Sequence, residues 1–339
     1  MNISLLIPYL LPASEMTVSL LSDLQLPALR TLLARAIRTE TETPGGVEGA
    51  LCRHFGIARQ ADWPIAPITL LADGGAPDTH YWLRADPVHL RATRDQLMLV
   101  DSGAFNVSQA EAELFADAFN RHFQEDGYTL YPLRPNRWYL RVNTPPNLTT
   151  HSVNSVTGQH IDPFLPRGTD ALAWHRLYNE IQMLFFSLAV NDTREARGEL
   201  SINGLWCWGG GTMPTIQATS SAKLLANDSD ARALAFAAGI PNDSLPKHAG
   251  NMDQPALILL DALSGAAQYG DYIGWREAIL QMEKNWFSPL LAQLKSGKLS
   301  SVQISTFTQQ HAITWHTRPR DLLKLWRRDT LSQSLTMPA

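Results

Sequence analysis

The 339-residue chain is predicted to adopt an α/β fold: a mixed, mostly parallel sheet flanked by helices, with a smaller inserted α+β subdomain. Three observations predict it. Short, continuous apolar runs such as SLLIPYLL and PALILLDAL suit strands covered on both faces. Amphipathic stretches of helical period alternate with those runs along the chain. Hydrophobic residues make up 45% of the sequence, enough for one large core or a main domain with a subordinate one.

SLLIPYLL reads as the first strand, and LPALRTLLARAIR follows with Leu26, Leu29, Leu32, Leu33 and Ala36 at spacings that share one helix face. RTETETPGG reads as a polar loop, GALCRHFGI as a short helix, and residues 61–80 as a Pro-, Gly- and Asp-rich surface loop. YWLRADPVHLRATRDQLMLVD holds two apolar patches around a polar middle and reads as strands. SQAEAELFADAFNRHFQEDG is the clearest helix: Ser108 and Glu111 form a capping box, and Gly127 ends it. YTLYPLRPNRWYLRVN reads as paired strands, and residues 143–168 as a long polar connection. DALAWHRLYNEIQMLFFSLAV is a helix whose apolar face suits core packing or a partner. AKLLANDSDARALAFAAGI reads as strand, turn and helix, and PALILLDAL as a buried strand. DYIGWREAILQMEKNWFSPLLAQLKSG is a long helix stopped by Gly297, SVQISTFTQ a last strand and DLLKLWRR a last helix. Asp86 and Asp101 are read as cap or turn residues.

Charged residues are only 18%, and 28 Lys+Arg against 32 Asp+Glu leave a net charge of −4. There is no basic surplus to hold nucleic acid. Two cysteines, Cys52 and Cys207, argue against a disulfide framework and fit a reducing, cytoplasmic compartment. The apolar start MNISLLIPYLLPA lacks a basic flank and is broken by Pro8 and Pro12, so it reads as a buried strand rather than a signal peptide. No apolar run reaches the ~20 residues of a membrane span.

The stretch INGLWCWGGG, residues 202–211, sets two tryptophans around a cysteine and runs into three glycines. In a strand, Trp206 and Trp208 share one face, and Leu205 and Cys207 the other. One reading is an aromatic shelf beside a backbone corner open to a ligand, with Gly209, Gly210 and Gly211 exposing N–H groups. The other is a tight turn beside bulky core packing. Cys207 reads as buried and inert.

Asn203-Gly204-Leu205-Trp206-Cys207-Trp208-Gly209-Gly210-Gly211, with Pro214 following, resembles the Asn–x–Ile–Trp–x–Trp–Gly–x–Gly–x–x–Pro signature of archaeal-type cofactor-independent phosphoglycerate mutases, of the alkaline phosphatase superfamily. Asn191 to Arg194 with Arg197-Gly198 is similar to an Asn–x–x–Arg…Gly segment of that family, and Leu165-Pro166-Arg167-Gly168 to its Leu–Pro–x–Gly. Arg137 to Leu140, Pro145-Pro146 and His151 resemble its strand and Pro-Pro-His loop, and Ala222 to Asn227 its next strand. The resemblance covers roughly residues 80–295 and, more faintly, 1–40; it is strongest to a bacterial offshoot, the regulatory protein RpfE type. It implies an alkaline-phosphatase-like core from residues 1–80 and 200–330, interrupted by an α+β subdomain over 81–199. It also implies that Arg137, His151, Asn191, Arg194, Trp206, Trp208 and the three glycines are candidates to line a site for a small phosphorylated or anionic ligand. Guanidinium groups suit phosphate because their fork is planar and always charged. Arg197 reads as a surface ion pair.

Phosphotransfer in this family resembles that of its superfamily in needing two divalent metals and a serine nucleophile. Two cations clamp the attacking and leaving oxygens, and hard Asp and His ligands must hold them. Where the family's first strand ends in Asp–Gly, this chain has Leu6-Ile7-Pro8-Tyr9-Leu10, with Ser14 the nearest hydroxyl. Tyr269 stands where a His belongs between Asp261 and Asp271, and His311 and His316 have no Asp beside them. The expectation is a cytoplasmic, non-catalytic binding or regulatory protein with no cofactor, acting on a small anionic ligand or a protein partner, without nucleic acid or membrane. The alternative is an active phosphomutase or phosphatase in which Asp261, Asp271, His311 and His316 converge on a divalent metal.

Overall fold

The computed structural model describes residues 1–11, 21, 23–43, 45–94, 96–216, 223–250, 253–308 and 311–327. Ser14, Pro12 and Ala222 lie outside the described residues. In chain order the main elements are β1 (Asn2–Leu6), α1 (Pro27–Ala34), β2 (Ile37–Glu42), α2 (Gly46–Phe55), α3 (Ile65–Ala72), β3 (Tyr81–Ala92), β4 (Leu97–Val100), α4 (Gln109–His122), β5 (Tyr128–Arg134) and β6 (Arg137–Val142). There follow α5 (Ala171–Phe186), α6 (Ala189–Ala196), β7 (Gly204–Gly211), β8 (Lys223–Leu225), α7 (Ser229–Ala237), β9 (Asn242–Asp243), β10 (Ala256–Leu259), α8 (Tyr272–Met282), α9 (Ser288–Lys295), β11 (Ser301–Phe307) and β12 (His311–Thr317). The chain divides into two compact units, the described residues of Met1–Phe55 with Ala218–Ala339, and those of Gly56–Gln217. Residues 56–80 and 200–217, expected with the core, therefore fall in the second unit, and the tryptophan–glycine strand goes with them.

The first unit carries a seven-stranded sheet in the order β2-β12-β11-β1-β10-β8-β9. β11, β1, β10, β8 and β9 run parallel, while β12 pairs antiparallel with both β11 and β2 at one margin. This is the mostly parallel sheet flanked by helices that the continuous apolar runs predicted. Its core gathers Ile3 and Leu5 of β1, and Ile7 just after it, with Ile258, Ile304 and Trp315, because central parallel strands are covered on both faces. Two predicted loops or gaps are strands instead. IRTETE forms β2 although all six residues are exposed, because pairing to β12 supplies its backbone bonds. HAITWHT forms β12, whose alternating positions Ile313, Trp315 and Thr317 are buried.

The long helix predicted over 271–297 forms, but a π-turn over Glu283–Phe287 separates α8 from α9. Pro289 has no N–H to offer the carbonyl of Asn285. The N–H of Ala249 takes that carbonyl instead, at 2.8 Å. The same turn buries Glu283, whose carboxylate accepts the N–H groups of Ala28 and Leu29 at 2.7 and 3.0 Å. Those are orphan donors of α1, which starts at Leu26-Pro27 with no side-chain cap of its own.

The second unit is α+β: its sheet runs β4-β3-β6-β5, and β7 also pairs β3. The predicted capping box at Ser108 and Glu111 is present. Helices α4 and α5 bury Phe115, Phe119, Trp174 and Phe185 with Trp138, Leu140, Leu205 and Cys207 on one face of the sheet. Residues 65–72, predicted as loop, are the helix α3, with Ile65, Ala66, Ile68 and Leu70 buried. At the chain's end the predicted helix is a 3-10 turn over Pro319–Leu323. Among the described residues, no helix is long and apolar enough to cross a membrane.

Candidate functional site

The tryptophan–glycine strand is built against β3. Arg84 faces Trp208 and Asp86 faces Trp206, but the next pair is Trp82 with Gly211, so β7 carries one extra residue between them. That is a β-bulge, of the kind that sets one residue in the left-handed region. Gly209 supplies it, with φ +66°. The glycines also admit neighbouring groups: a Cβ on Gly209 would stand 2.9 Å from the Cβ of Ile65, one on Gly211 2.6 Å from that of Pro64, and one on Gly210 would collide with the Tyr81 hydroxyl. Of the two readings, the geometry is that of a tight turn beside bulky packing. The start of α3 and the Tyr81 ring occupy the space a ligand would need.

The tryptophans are equally enclosed. Trp206 and Trp208 share a face, as strand period requires, and each is 2% exposed. Trp206 donates to the His151 carbonyl at 2.8 Å and stacks on Tyr178 at 5.9 Å. Trp208 donates to Asp86 Oδ2 at 2.7 Å. Asp86 Oδ1 accepts from Arg84 Nε and Nη2 at 3.1 and 2.7 Å. The Arg84 guanidinium lies 5.3 Å from the Trp208 ring and 5.6 Å from that of Tyr139, its cross-strand neighbours on either side. The Tyr139 hydroxyl donates to Asp73 Oδ2 at 2.6 Å, and Asp73 also takes Arg137 and Arg134 at 3.3 Å. Burial, chiefly, drives the Tyr139 hydroxyl well above the ordinary phenol range. Asp86, read as a cap or turn residue, is instead the centre of a buried polar network. The sequence signal was Arg84-x-Asp86, since residues two apart in a strand share a face. Asp101 does open a turn, closed by the Ala104 N–H on its carbonyl at 3.1 Å.

Each remaining candidate is also held by its own chain. Arg137 is spent on Asp73. Asn191 donates to the carbonyls of Phe185 and Ile202 at 2.8 and 2.9 Å and accepts the Ile202 N–H at 2.8 Å. Arg194, 0% exposed, bonds the carbonyls of Leu200 and Asn106 at 2.8 and 2.9 Å and Glu111 at 3.1 Å. Arg197 is an exposed pair with Glu111 and Glu199, as expected. His151 faces the Phe164 carbonyl at 3.1 Å, and burial lowers its basicity. Beside it, buried Asp62 accepts the N–H groups of Thr150 and Trp63 at 2.9 and 2.8 Å. Thr150 in turn accepts the Gly209 N–H at 3.0 Å. Cys207 has its thiol pushed far up by burial, which fits the inert reading. Its backbone N–H and C=O are both taken by the Tyr178 hydroxyl, at 3.1 and 3.2 Å.

The first unit holds the metal candidates. The carboxyl end of β1 leads into Pro8 and Tyr9, and Tyr9 has φ +57°, a glycine-like conformation on a bulky residue. Residues Leu6 to Leu10 carry no carboxylate of their own. Asp261 follows β10; Asp271 caps α8 by accepting the Gly274 N–H at 2.9 Å. His311 pairs Glu40 at 3.3 Å on β12, and β11 and β1 separate that strand from β10, a gap of roughly 14 Å at the usual strand spacing. His316 lies opposite Gln303, toward the other end of β11. The four do not converge, and among the described residues no three His, Cys, Asp or Glu side chains are grouped to hold a metal ion. The donor set does not fit the two-metal cage.

What does gather near these strand ends is acidic and was not singled out in the sequence. Asp228, the N-cap of α7, has its pKa raised to about 7, first by burial and then by Asp230, with Glu48 and Asp261 adding to it. Glu48 and Asp230 are themselves buried. Such a group of carboxylates disfavours a phosphate.

No protein-family profile matches the chain. In sequence it is 28% identical over 141 residues to the 2,3-bisphosphoglycerate-independent phosphoglycerate mutase of Methanosarcina mazei, covering 40% of this chain and 36% of that one. It is 27% identical over 177 residues to the probable enzyme of the same kind from Geobacter sulfurreducens, covering 50% and 44%. The matched region thus spans less than half the length of either relative. The solved structure of the PH0037 protein of Pyrococcus horikoshii has the same fold, with a TM-score of 0.53 at 12% identity over 95% of this chain and 92% of that one. The chain is phosphoglycerate-mutase-like.

Proposed function

We propose that this chain is a phosphoglycerate-mutase-like protein without metal-dependent phosphotransfer, working in the cytoplasm as a binding or regulatory protein of the kind its RpfE-type resemblance implies. One observation carries the reading: the end of β1 presents Pro8 and left-handed Tyr9, while Asp261, Asp271, His311 and His316 are dispersed over β10, a helix cap and two ends of β12. The arginine, histidine and tryptophan candidates support it from the other side, since each is engaged by the protein itself. Two free, buried cysteines suit a reducing compartment. The alternative, a phosphomutase or phosphatase with a rearranged metal site, requires donors that the described residues do not bring together.

Elemental analysis of protein purified without chelator tests the reading. Less than stoichiometric manganese, zinc or cobalt is expected. Two equivalents of a divalent metal, lost in Asp261→Asn, would overturn it.

A further inference from the structure

The second unit has a polar cleft that the family motifs do not touch. It lies between α4 and the free edge of β5, has a volume of about 610 Å³, and is lined by Asp117, Asn120, Arg121, Gln124, Tyr128 and Thr129. That volume is in the range of small-molecule sites.

Its two charged groups differ from the motif residues in being largely unspent. β5 is the outer strand of its sheet, and an exposed edge invites pairing. Here Asn120 blocks it, giving Nδ2 to the Leu130 carbonyl and taking the Leu130 N–H, at 3.0 and 2.7 Å. Pro132 has no N–H, and Gln109 covers its carbonyl at 2.7 Å. The edge is closed to a strand, while the cleft beside it stays open. Arg121 spends only Nε, on the backbone carbonyl of Asp117 at 3.2 Å. Arg121 and Asp117 are one helical turn apart, yet among the described residues neither forms an ion pair, with the other or elsewhere. The cleft thus offers a guanidinium and a carboxylate at adjacent positions of one helix face. Thr129 completes the lining from β5. Tyr128 supplies an aromatic wall, fixed edge-on against Trp174 at 6.1 Å.

The geometry points to this cleft as a binding site for a small zwitterion of the α-amino-acid class, its carboxylate on Arg121 and its ammonium on Asp117. A simple anion would meet the Asp117 carboxylate, and a simple cation the Arg121 guanidinium. A molecule bearing both charges a few ångströms apart satisfies both, and its side chain would lie along Tyr128. Guanidinium–carboxylate pairing is directional and charge-assisted.

The test is isothermal titration of the full chain with alanine, glutamine, lysine and glutamate, beside inorganic phosphate and glucose. Saturable one-to-one binding of at least one amino acid is expected. Its N-acetylated and C-amidated forms should bind roughly tenfold or more weakly, as loss of one charge-assisted contact implies. Arg121→Gln and Asp117→Asn should each weaken it similarly while leaving the melting temperature of the free protein unchanged. No saturable binding at millimolar amino acid would overturn the assignment. So would binding that survives both substitutions, or binding of phosphate or glucose alone. The outcome is independent of whether the first unit holds metal.

Discussion

Trp208 donates its indole N–H to Asp86 at 2.7 Å across 122 residues of chain, and Asp86 uses its other oxygen to hold Arg84. The residue that most marks the family signature is therefore a support for a buried ion pair. A buried pair is costly to break from one side, because the surviving charge is left desolvated. Asp86→Asn is expected to lower stability by about 3–5 kcal/mol, and Trp208→Phe by about 1–3 kcal/mol. The double variant Arg84→Met/Asp86→Leu should recover most of the loss of Asp86→Asn. Urea unfolding followed by tryptophan fluorescence in the single variants, and by circular dichroism in all, checks the order.

The glycines separate two causes. Gly209 and Gly198 both have positive φ, +66° and +73°, but a Cβ on Gly209 meets Ile65 at 2.9 Å, whereas nothing lies within 4 Å of one on Gly198. Gly198→Ala should cost about 1 kcal/mol, from backbone strain alone. Gly209→Ala adds overpacking and should cost about 1–3 kcal/mol more. Equal melting temperatures for the two would show that the crowding at α3 is relieved elsewhere.

These particulars show how much could be read from the sequence. The β strands with continuous apolar runs and the Ser108 capping box were legible because local pattern and structure agree there, and so was the stripe of Phe115, Ala118, Phe119 and Phe123, although Leu114, at the same spacing, is exposed. β2 was not, since six exposed residues become a strand only through a partner 270 residues away. Nor was α3, where Pro and Gly around IAPITLLA suggested a loop and burial of nearly every side chain made a helix. At the candidate site the residue types were legible and their employment was not. Arg194, Asn191 and Trp208 look equally suited to a ligand or to the chain's own carbonyls, and only the fold brings Glu111, Ile202 and Asp86 to meet them.

Arg194 and Arg197 should behave oppositely. Arg194 is 0% exposed and linked to two backbone carbonyls and Glu111. Arg194→Met should destabilise by about 3–5 kcal/mol. Arg197→Met removes a surface pair and should change stability by at most about 1 kcal/mol. Calorimetric melting of both variants distinguishes a structural Arg194 from one held ready for phosphate.

Asp228 predicts a pH dependence. Its pKa in the fold, about 7, is raised mainly by burial and then by Asp230. An unfolded aspartate titrates near ~3.9. The folded state therefore binds the proton more tightly, and the stability linked to it is fully present below about pH 4 and is lost as pH rises through about 7. Unfolding free energy should fall between about pH 4 and pH 7 in the native protein and level off above that. Asp228→Asn keeps the cap of α7 and should flatten that fall. An unchanged slope in the variant would place the titration elsewhere.

The most direct test of the proposal that this chain lacks metal-dependent phosphotransfer is turnover of 3-phosphoglycerate by the purified chain with saturating Mn²⁺, before and after chelation. No turnover above the buffer rate is expected in either state. Turnover with the metal that disappears on chelation would contradict it.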